Sequence, residues 1–445
     1  MPTVKSLLSG SILAAFTLAP LAATAAPIPG WNTTTPYLCY YGSWDAGRIF
    51  QVRTSYRFVI LEPSSNVTPA IIQTIRGGVD NTVGTSDDVM IFGYLSIGED
   101  ARPGVPLAGN GTGPRIDPRP SGATPLSYIS ANNAWNGTAS GGGVGFASYY
   151  LDDQDGNGQP DQNATFGGYF VNAGDPAWYT VLKTMRRDVD GRSGLDEILT
   201  TTYGDGLGCD GIFFDTLDTA APNAFGGTKY EWTTPGMQRL MQQIRADYPT
   251  DRLIANRGIF FFDPNYQAYR YPFAPSIDAL MFESYYTDSD DGHDVTPSFD
   301  YNKFVLAPKI NAEAGQFGGG FTPIALGYNH PPTLPQSVRD QDFIESQNTQ
   351  GWSLYRTVRD LSSINNDTAT WIAANPDTQA PVWDSTAAGS ADSDSGTTGN
   401  QPPPARVGVQ EAEARNGAVT VRWDVARDQT LPITYNIYYL SLIHI

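Results

Sequence analysis

The chain has 445 residues, 40% of them hydrophobic, and its 46 acidic against 27 basic side chains give a formal charge of −19. That length and apolar content suit one large domain with an appendage and exclude a single small module. The acidic balance excludes nucleic acid as a natural partner, because phosphates require basic surface, and it fits either a cationic ligand or plain solubility.

The N-terminus carries Lys5, an apolar stretch from Leu7 to Leu21, and Ala23-Thr24-Ala25, which has the small-x-small form of a signal-peptidase site. Residues 1–25 are therefore read as a secretory signal, and the product is expected outside the cytoplasm, secreted or periplasmic. The rival is an uncleaved anchor, but Ser9, Gly10 and Pro20 leave the stretch short and broken for a span of ~20 apolar residues. No later segment reads as a membrane span.

Eight apolar runs follow, most of them ending in polar or aromatic residues: Tyr37 to Tyr41, Phe58 to Leu61, Ile91 to Ser96, Gly211 to Asp215, Arg252 to Asn256, Ala279 to Glu283, Pro323 to Gly327 and Trp352 to Tyr355. Strands buried on both faces read as such runs, and eight of them close a barrel. Helix signatures lie between them. Thr68-Pro69 precedes Ile71, Ile72 and Ile75; Asp175-Pro176 precedes Trp178, Val181 and Leu182; and Thr234-Pro235, with Thr234 as the expected cap, precedes Met237, Leu240, Met241 and Ile244. Strands alternating with helices predict an α/β fold with parallel pairing, a (β/α)8 barrel over residues 30–374.

The segment from Arg102 to Asn163 breaks the rhythm, being rich in Gly, Pro, Asn and Ser. A loop that long after the third strand is expected to overhang the C-terminal face of the barrel and wall a groove. Residues 375–404 turn to Asp, Ser, Thr, Gly and Pro and read as a disordered linker. In residues 405–445, Val419, Val421 and Trp423 alternate with polar residues as a strand from Ala418 to Asp424, and Tyr435 to Tyr439 reads as another. This segment resembles the first strands of a fibronectin type III module, an incomplete β-sandwich. Leu440 to Ile445 looks like translated sequencing adapter, so the natural protein is expected to continue.

Cys39 and Cys209 are the two cysteines. Export makes a disulfide between them chemically allowed, but their strands lie on different sides of a barrel, which favours two free buried thiols. His293, His330 and His444 show no ligand spacing, and no Gly-x-Ser-x-Gly elbow, Walker loop or dinucleotide fingerprint occurs, so no cofactor is required for the chemistry. One loop matches the calcium-binding pattern: Asp153, Asp155, Asn157 and Asp161 stand at positions 1, 3, 5 and 9 with Gly158 at position 6, although position 12 is Ala164 where a bidentate Glu belongs. A structural Ca2+ and an ordinary Asx-rich turn are both open here. Asp80, Asp87 and Asp88 raise the same question.

Asp215 and Glu283 each stand where an apolar run turns abruptly polar, the position of catalytic groups in (β/α)8 enzymes. Two carboxyls facing one cleft are what glycoside hydrolysis needs, one to protonate the leaving oxygen and one to attack the sugar or activate water. Spacing alone is a weak signal. The surrounding words are stronger: Tyr40-Tyr41-Gly42-Ser43-Trp44, Gly93 to Asp100 (GYLSIGED), Asp210 to Asp218 (DGIFFDTLD), Ala255-Asn256-Arg257-Gly258 and Met281-Phe282-Glu283-Ser284 occur in this order. Together they resemble the glycoside hydrolase family 114 barrel, which includes endo-α-1,4-polygalactosaminidases, over residues 36–360.

The resemblance implies that Asp215 and Glu283 are the catalytic pair, with Asp215 as nucleophile or base and Glu283 as general acid. The substrate it implies is a galactosamine-rich, cationic polysaccharide cut at internal bonds; the chain is expected to be a monomer. Asp45, Glu99, Asp100 and Asp218 would then hold ammonium groups at the rim. Asp218 has helix capping as an equal alternative, and Glu99 has an ion pair with Arg257. Tyr41, Trp44 and Tyr285, with Tyr286, are candidate stacking platforms, though Trp44 would equally close the barrel; Asn256 and Arg257 are expected to hydrogen-bond within the site. A non-catalytic, lectin-like barrel, or a hydrolase of another amino-sugar or galactose polymer, are the competing readings.

Overall fold

Strands that are apolar on both faces need cover on both sides, and closing them into a barrel wrapped by helices provides it. The computed structural model describes residues 25–64, 66–104, 113–118, 137–140, 145–152, 155–222, 230–264, 276–288, 295–316, 320–328, 336–365, 370, 409–415 and 418–423. Eight strands, β1 (Tyr37–Tyr40), β2 (Phe58–Leu61), β3 (Met90–Ser96), β4 (Gly211–Asp215), β5 (Arg252–Asn256), β6 (Ala279–Asp288), β7 (Thr322–Tyr328) and β8 (Ser353–Thr357), pair in parallel, each with the next. Each expected apolar run is one of these strands. They form a nearly closed (β/α)8 barrel. Across the seam, the Tyr41 N–H donates to Leu361 O at 2.9 Å and the Tyr37 and Tyr355 rings meet at 5.7 Å.

The helices pack outside. In α1 (Ala46–Ser55) Asp45 caps the first turn, in α2 (Pro69–Arg76) Thr68 accepts from the Ile71 N–H, and in α3 (Pro176–Thr184) Asp175 accepts from the Ala177 N–H. Proline in the first turn gives up a donor that has no helical partner there. In α4 (Thr234–Asp247) the expected cap is displaced. A 3-10 turn, Glu231–Thr233, leads directly into the helix, Thr234 is its first residue, and the Thr234 hydroxyl donates back to Ala220 O and Glu231 O.

The bottom of the barrel is sealed by Ala26, Ile28 and Trp31. Trp31 stacks on Phe58 with centroids 4.3 Å apart, the Ile28 N–H donates to Thr322 Oγ1, and the Ala26 N–H donates to Asp278 Oδ1 at 2.9 Å. Asp278, 1% exposed, also takes the Leu253 N–H and the guanidiniums of Arg245 and Arg252. Both cysteines are free and buried.

At the top, the β3–β4 connection folds back as short antiparallel pairs. Glu99–Asp100 pairs with Tyr169–Phe170, and Arg115–Ile116 pairs with Thr138–Ala139. Gly98 permits this, because a Cβ there would stand 2.1 Å from Thr216 O. In the tail, Val409–Arg415 pairs antiparallel with Ala418–Trp423, so the expected strand is present with a partner that the alternation did not announce. Residues 1–24 of the expected signal, the linker and the Tyr435 to Tyr439 strand lie outside the described residues. Among the described residues no helix is long and apolar enough to cross a membrane.

Candidate active site

Alternation along the strands decides what faces the barrel axis. In β4, Asp215 shares a face with Gly211 and Phe213, and in register with it stands Ser96 at the end of β3. Asp215 and Glu283 converge at this C-terminal rim on one side chain. The Asn256 carboxamide, at the end of β5 between them, donates through the same Nδ2 to Asp215 Oδ1 at 2.9 Å and to Glu283 Oε2 at 2.5 Å. The nearest oxygens of the two acids are therefore no farther apart than those two bonds laid end to end.

Each acid is held from its other side by a phenol. Tyr94, on β3, donates to Asp215 Oδ2 at 3.0 Å, and Tyr328, ending β7, donates to Glu283 Oε1. Burial, then the neighbouring carboxylates, hold both phenols well above the usual tyrosine range, so they stay protonated as donors. Burial first, and the charge of Glu283 second, push Asp215 up to about 6, against the bonds from Thr216, Asn256 and Tyr94 that favour its ionised form. Beneath the pair, burial and both acids keep the Cys39 thiol well above its ordinary value.

The chain leaves the site sharply. Thr216 (φ 65°) and Arg257 (φ 59°), each following a rim residue, adopt the left-handed conformation that β-branched and long side chains avoid. At Thr216 the turn is pinned: its hydroxyl is 2.9 Å from Ser96 Oγ and accepts the Gly98 N–H at 2.8 Å. A cavity of about 550 Å³ opens beside Glu283, lined by Arg257, Phe282, Ser284, Asp288 and Asn302 among others.

Glu99 is the third acid of the rim. It is 7% exposed, accepts from Asn163 Nδ2 at 2.9 Å, and is pushed up to about 7 by burial and by the charge of Asp215. Gly168 closes over it, since a Cβ there would be 2.4 Å from Glu99 Oε2. The Asn163 contact is where the described end of the Arg102 to Asn163 segment reaches the rim. Tyr41 packs edge-on against Tyr94 at 5.1 Å, on the floor beside Asp215.

Other expected rim residues are committed elsewhere. Asp45 is exposed and caps α1 while pairing with Arg48 at 2.6 Å, so its carboxylate is held by its own helix. Asp100 is buried, bound bidentate by Arg102 (3.0 and 2.7 Å) and by the Tyr150 hydroxyl at 2.9 Å. Asp218 pairs with Arg257 and accepts the Gly258 N–H, so Arg257 is engaged by Asp218 and not by Glu99. Trp44 packs edge-on at 5.1 Å against Tyr40, whose place in β1 alternates with inward Cys39 and Tyr41, so it belongs to the helix side. Tyr285 is fully buried against Phe282, Trp352 and Phe299. Alternation from Glu283 would have turned it inward, but β6 shifts register against β7 between Glu283 and Asp288, and this irregularity turns the ring to the helices. Tyr286 likewise packs on Phe299.

Of the calcium-loop residues, Asp153 lies outside the described residues. Asp155 and Asp161 come together with Asp152, which the pattern did not name. Asn157 is turned away from a ligand's place, its Nδ2 donating to Asp155 at 2.7 Å and its Oδ1 accepting the Gln159 N–H at 2.7 Å. In the other acidic loop, Asp87 takes the Asp80 N–H and the Thr85 hydroxyl, and Asp88 takes the Gly84 N–H. That is a self-bonded turn.

No family model matches the chain, and neither does any curated protein. Among solved structures it is similar to the glycoside hydrolase domain of PelA from Pseudomonas aeruginosa, with 15% identity, a TM-score of 0.43, and coverage of 74% of this chain and 96% of that one. It is also similar to Ega3 of Aspergillus fumigatus in complex with galactosamine, with 10% identity, a TM-score of 0.39, and coverage of 76% and 96%. A family GH13_31 enzyme follows at 11% identity, a TM-score of 0.36, and coverage of 78% and 72%. At such identities and scores, what the site does is a matter for its own geometry.

Proposed function

We propose that this chain is a glycoside hydrolase that cuts internal α-1,4-galactosaminide bonds of a cationic, de-N-acetylated polygalactosamine. The observation that carries the reading is the single Asn256 nitrogen shared by two rim carboxylates, which brings Asp215 and Glu283 to one cleft. Nearest carboxylate oxygens held by bonds of 2.9 and 2.5 Å to one nitrogen favour the ~5–5.5 Å spacing of retaining glycosidases over the ~6.5–9.5 Å of inverting ones.

In this mechanism the Asp215 carboxylate attacks the anomeric carbon as the glycosidic C–O bond breaks, and Glu283 gives its proton to the departing oxygen. Glu283 then takes a proton from water, whose oxygen displaces Asp215 and frees the enzyme. Asn256 orients both acids, and Tyr94 and Tyr328 fix their remaining oxygens. The leader and the tail fit an exported enzyme with an accessory β module. Reducing ends appearing in purified polygalactosamine on incubation with the chain would test the reading, and binding without cleavage would overturn it in favour of a lectin-like barrel.

The pH profile follows from Asp215. Burial and the charge of Glu283 keep one proton on the pair up to about 6, so kcat/KM is expected to fall as pH rises through about 6, where the proton that the leaving oxygen needs is lost. Tyr94→Phe removes a bond that favours the ionised carboxylate, and this limb should move up by about one pH unit. An unmoved limb in that variant would detach it from Asp215.

Glu99 supplies a test of substrate charge. A substrate ammonium beside it would hold it ionised, a charge-assisted contact of roughly 1.5–3 kcal/mol. Glu99→Gln is expected to raise KM at least tenfold for the free-amine polymer and to leave KM for the N-acetylated polymer unchanged. Equal effects on both polymers would refute the ammonium contact.

A further inference from the structure

Away from the rim, Asp152, Asp155 and Asp161 bring one carboxylate oxygen each to within 4.8 Å of one another. Their loop is bent for this by Gly156 (φ 66°) and Gly158 (φ 79°), and both the N–H and the Nδ2 of Asn157 donate to Asp155. A knot of acids alone would be unremarkable on so acidic a chain. The decisive atom is Asp152 Oδ1. Asp152 is 0% exposed, its Oδ2 accepts the Gly158 N–H at 2.7 Å, and its Oδ1 is buried with no hydrogen-bond partner among the described residues. A buried carboxylate oxygen with nothing to accept from is a large cost, and a bound cation removes it.

We propose that Asp152, Asp155 and Asp161 hold a Ca2+ ion. An all-oxygen, carboxylate-rich set on a turning loop is what that hard cation takes, with water and backbone carbonyls completing six to eight ligands. The position gives the ion a task. The Asp161 N–H donates to Leu151 O at 2.8 Å and its carbonyl accepts the Phe170 N–H at 3.0 Å, so Asp161 joins the two arms of the loop. Two residues on, Asn163 donates to Glu99, and Tyr169–Phe170 pairs with Glu99–Asp100. The ion thus braces the hairpin that positions Glu99 at the rim.

The test uses the full chain stripped with EDTA, titrated with CaCl2 by calorimetry and melted with and without 5 mM CaCl2. One ion per chain is expected, with a Tm higher by roughly 4 °C in calcium. Asp155→Asn changes an exposed side chain and should leave the fold intact while weakening calcium binding at least tenfold and erasing the Tm shift; Asp161→Asn should do the same. Asp188→Asn, an exposed acid outside the cluster, should bind as the parent does. Absence of binding heat and of any Tm shift in the parent chain would overturn the proposal, as would a full calcium response in both cluster variants.

Discussion

Replacing Asp215 by Asn, or Glu283 by Gln, is expected to lower kcat on de-N-acetylated polygalactosamine by at least about 10³-fold, within the range by which positioned acid–base groups act. Both changes keep shape and volume, so thermal melting and secondary structure should match the parent. The two losses should not add. Asp215 and Glu283 share Asn256 and act on one bond, so the double variant should be about as slow as the worse single variant. With azide, the variant that has lost the nucleophile should give the β-glycosyl azide by one displacement and the variant that has lost the acid–base the α-glycosyl azide by two, which distinguishes the roles. Activity within tenfold of the parent in either single variant would remove that residue from the chemistry.

The barrel could be read from the sequence because its strands are dry on both faces. A run such as Gly211 to Asp215 has no polar residue until the mouth, so strand and rim are written together. Asp215, Glu283 and Asn256 were visible for that reason. Tyr94 and Tyr328 were not, because a tyrosine within or just beyond an apolar run looks like packing; only parity with the acid, or its place at the strand end, marks it. The rim acids show the opposite failure. Position cannot tell whether a donor is already present, and Arg48, Arg102 and Arg257 occupy Asp45, Asp100 and Asp218. For Asp45 and Asp100 the warning was local, an arginine three and two residues on. For Asp218 the partner lies on the next barrel strand's loop, beyond any local pattern. Tyr285 was misplaced because a register shift after Glu283 has no sequence signature in so apolar a strand.

Asp278→Ala should be the most destabilising single change away from the rim, at about 3–5 kcal/mol. Asp278 is 1% exposed at the base of the barrel, where it receives Arg245 and Arg252, the Leu253 N–H and the Ala26 N–H. Its removal leaves the guanidinium of Arg245, whose side chain is 6% exposed, as a buried charge without its paired carboxylate, bonded to the Asp251 carbonyl, and unties the N-terminal plug from β5 and β6. Chemical denaturation should show the midpoint lowered with little change in slope. The double variant Asp278→Ala with Arg245→Met should recover part of the loss, because the stranded charge goes with its partner. A midpoint within 1 kcal/mol of the parent would mean, to about that precision, that the network does not hold the base of the barrel together.

The anomeric configuration of the first product, followed by proton NMR before mutarotation, bears on the whole arrangement at the rim. An α-linked polymer cut by Asp215 attacking and Glu283 protonating, at the spacing set by Asn256, must release the α anomer first. Appearance of the β anomer first, or intact polymer after prolonged incubation, would contradict it.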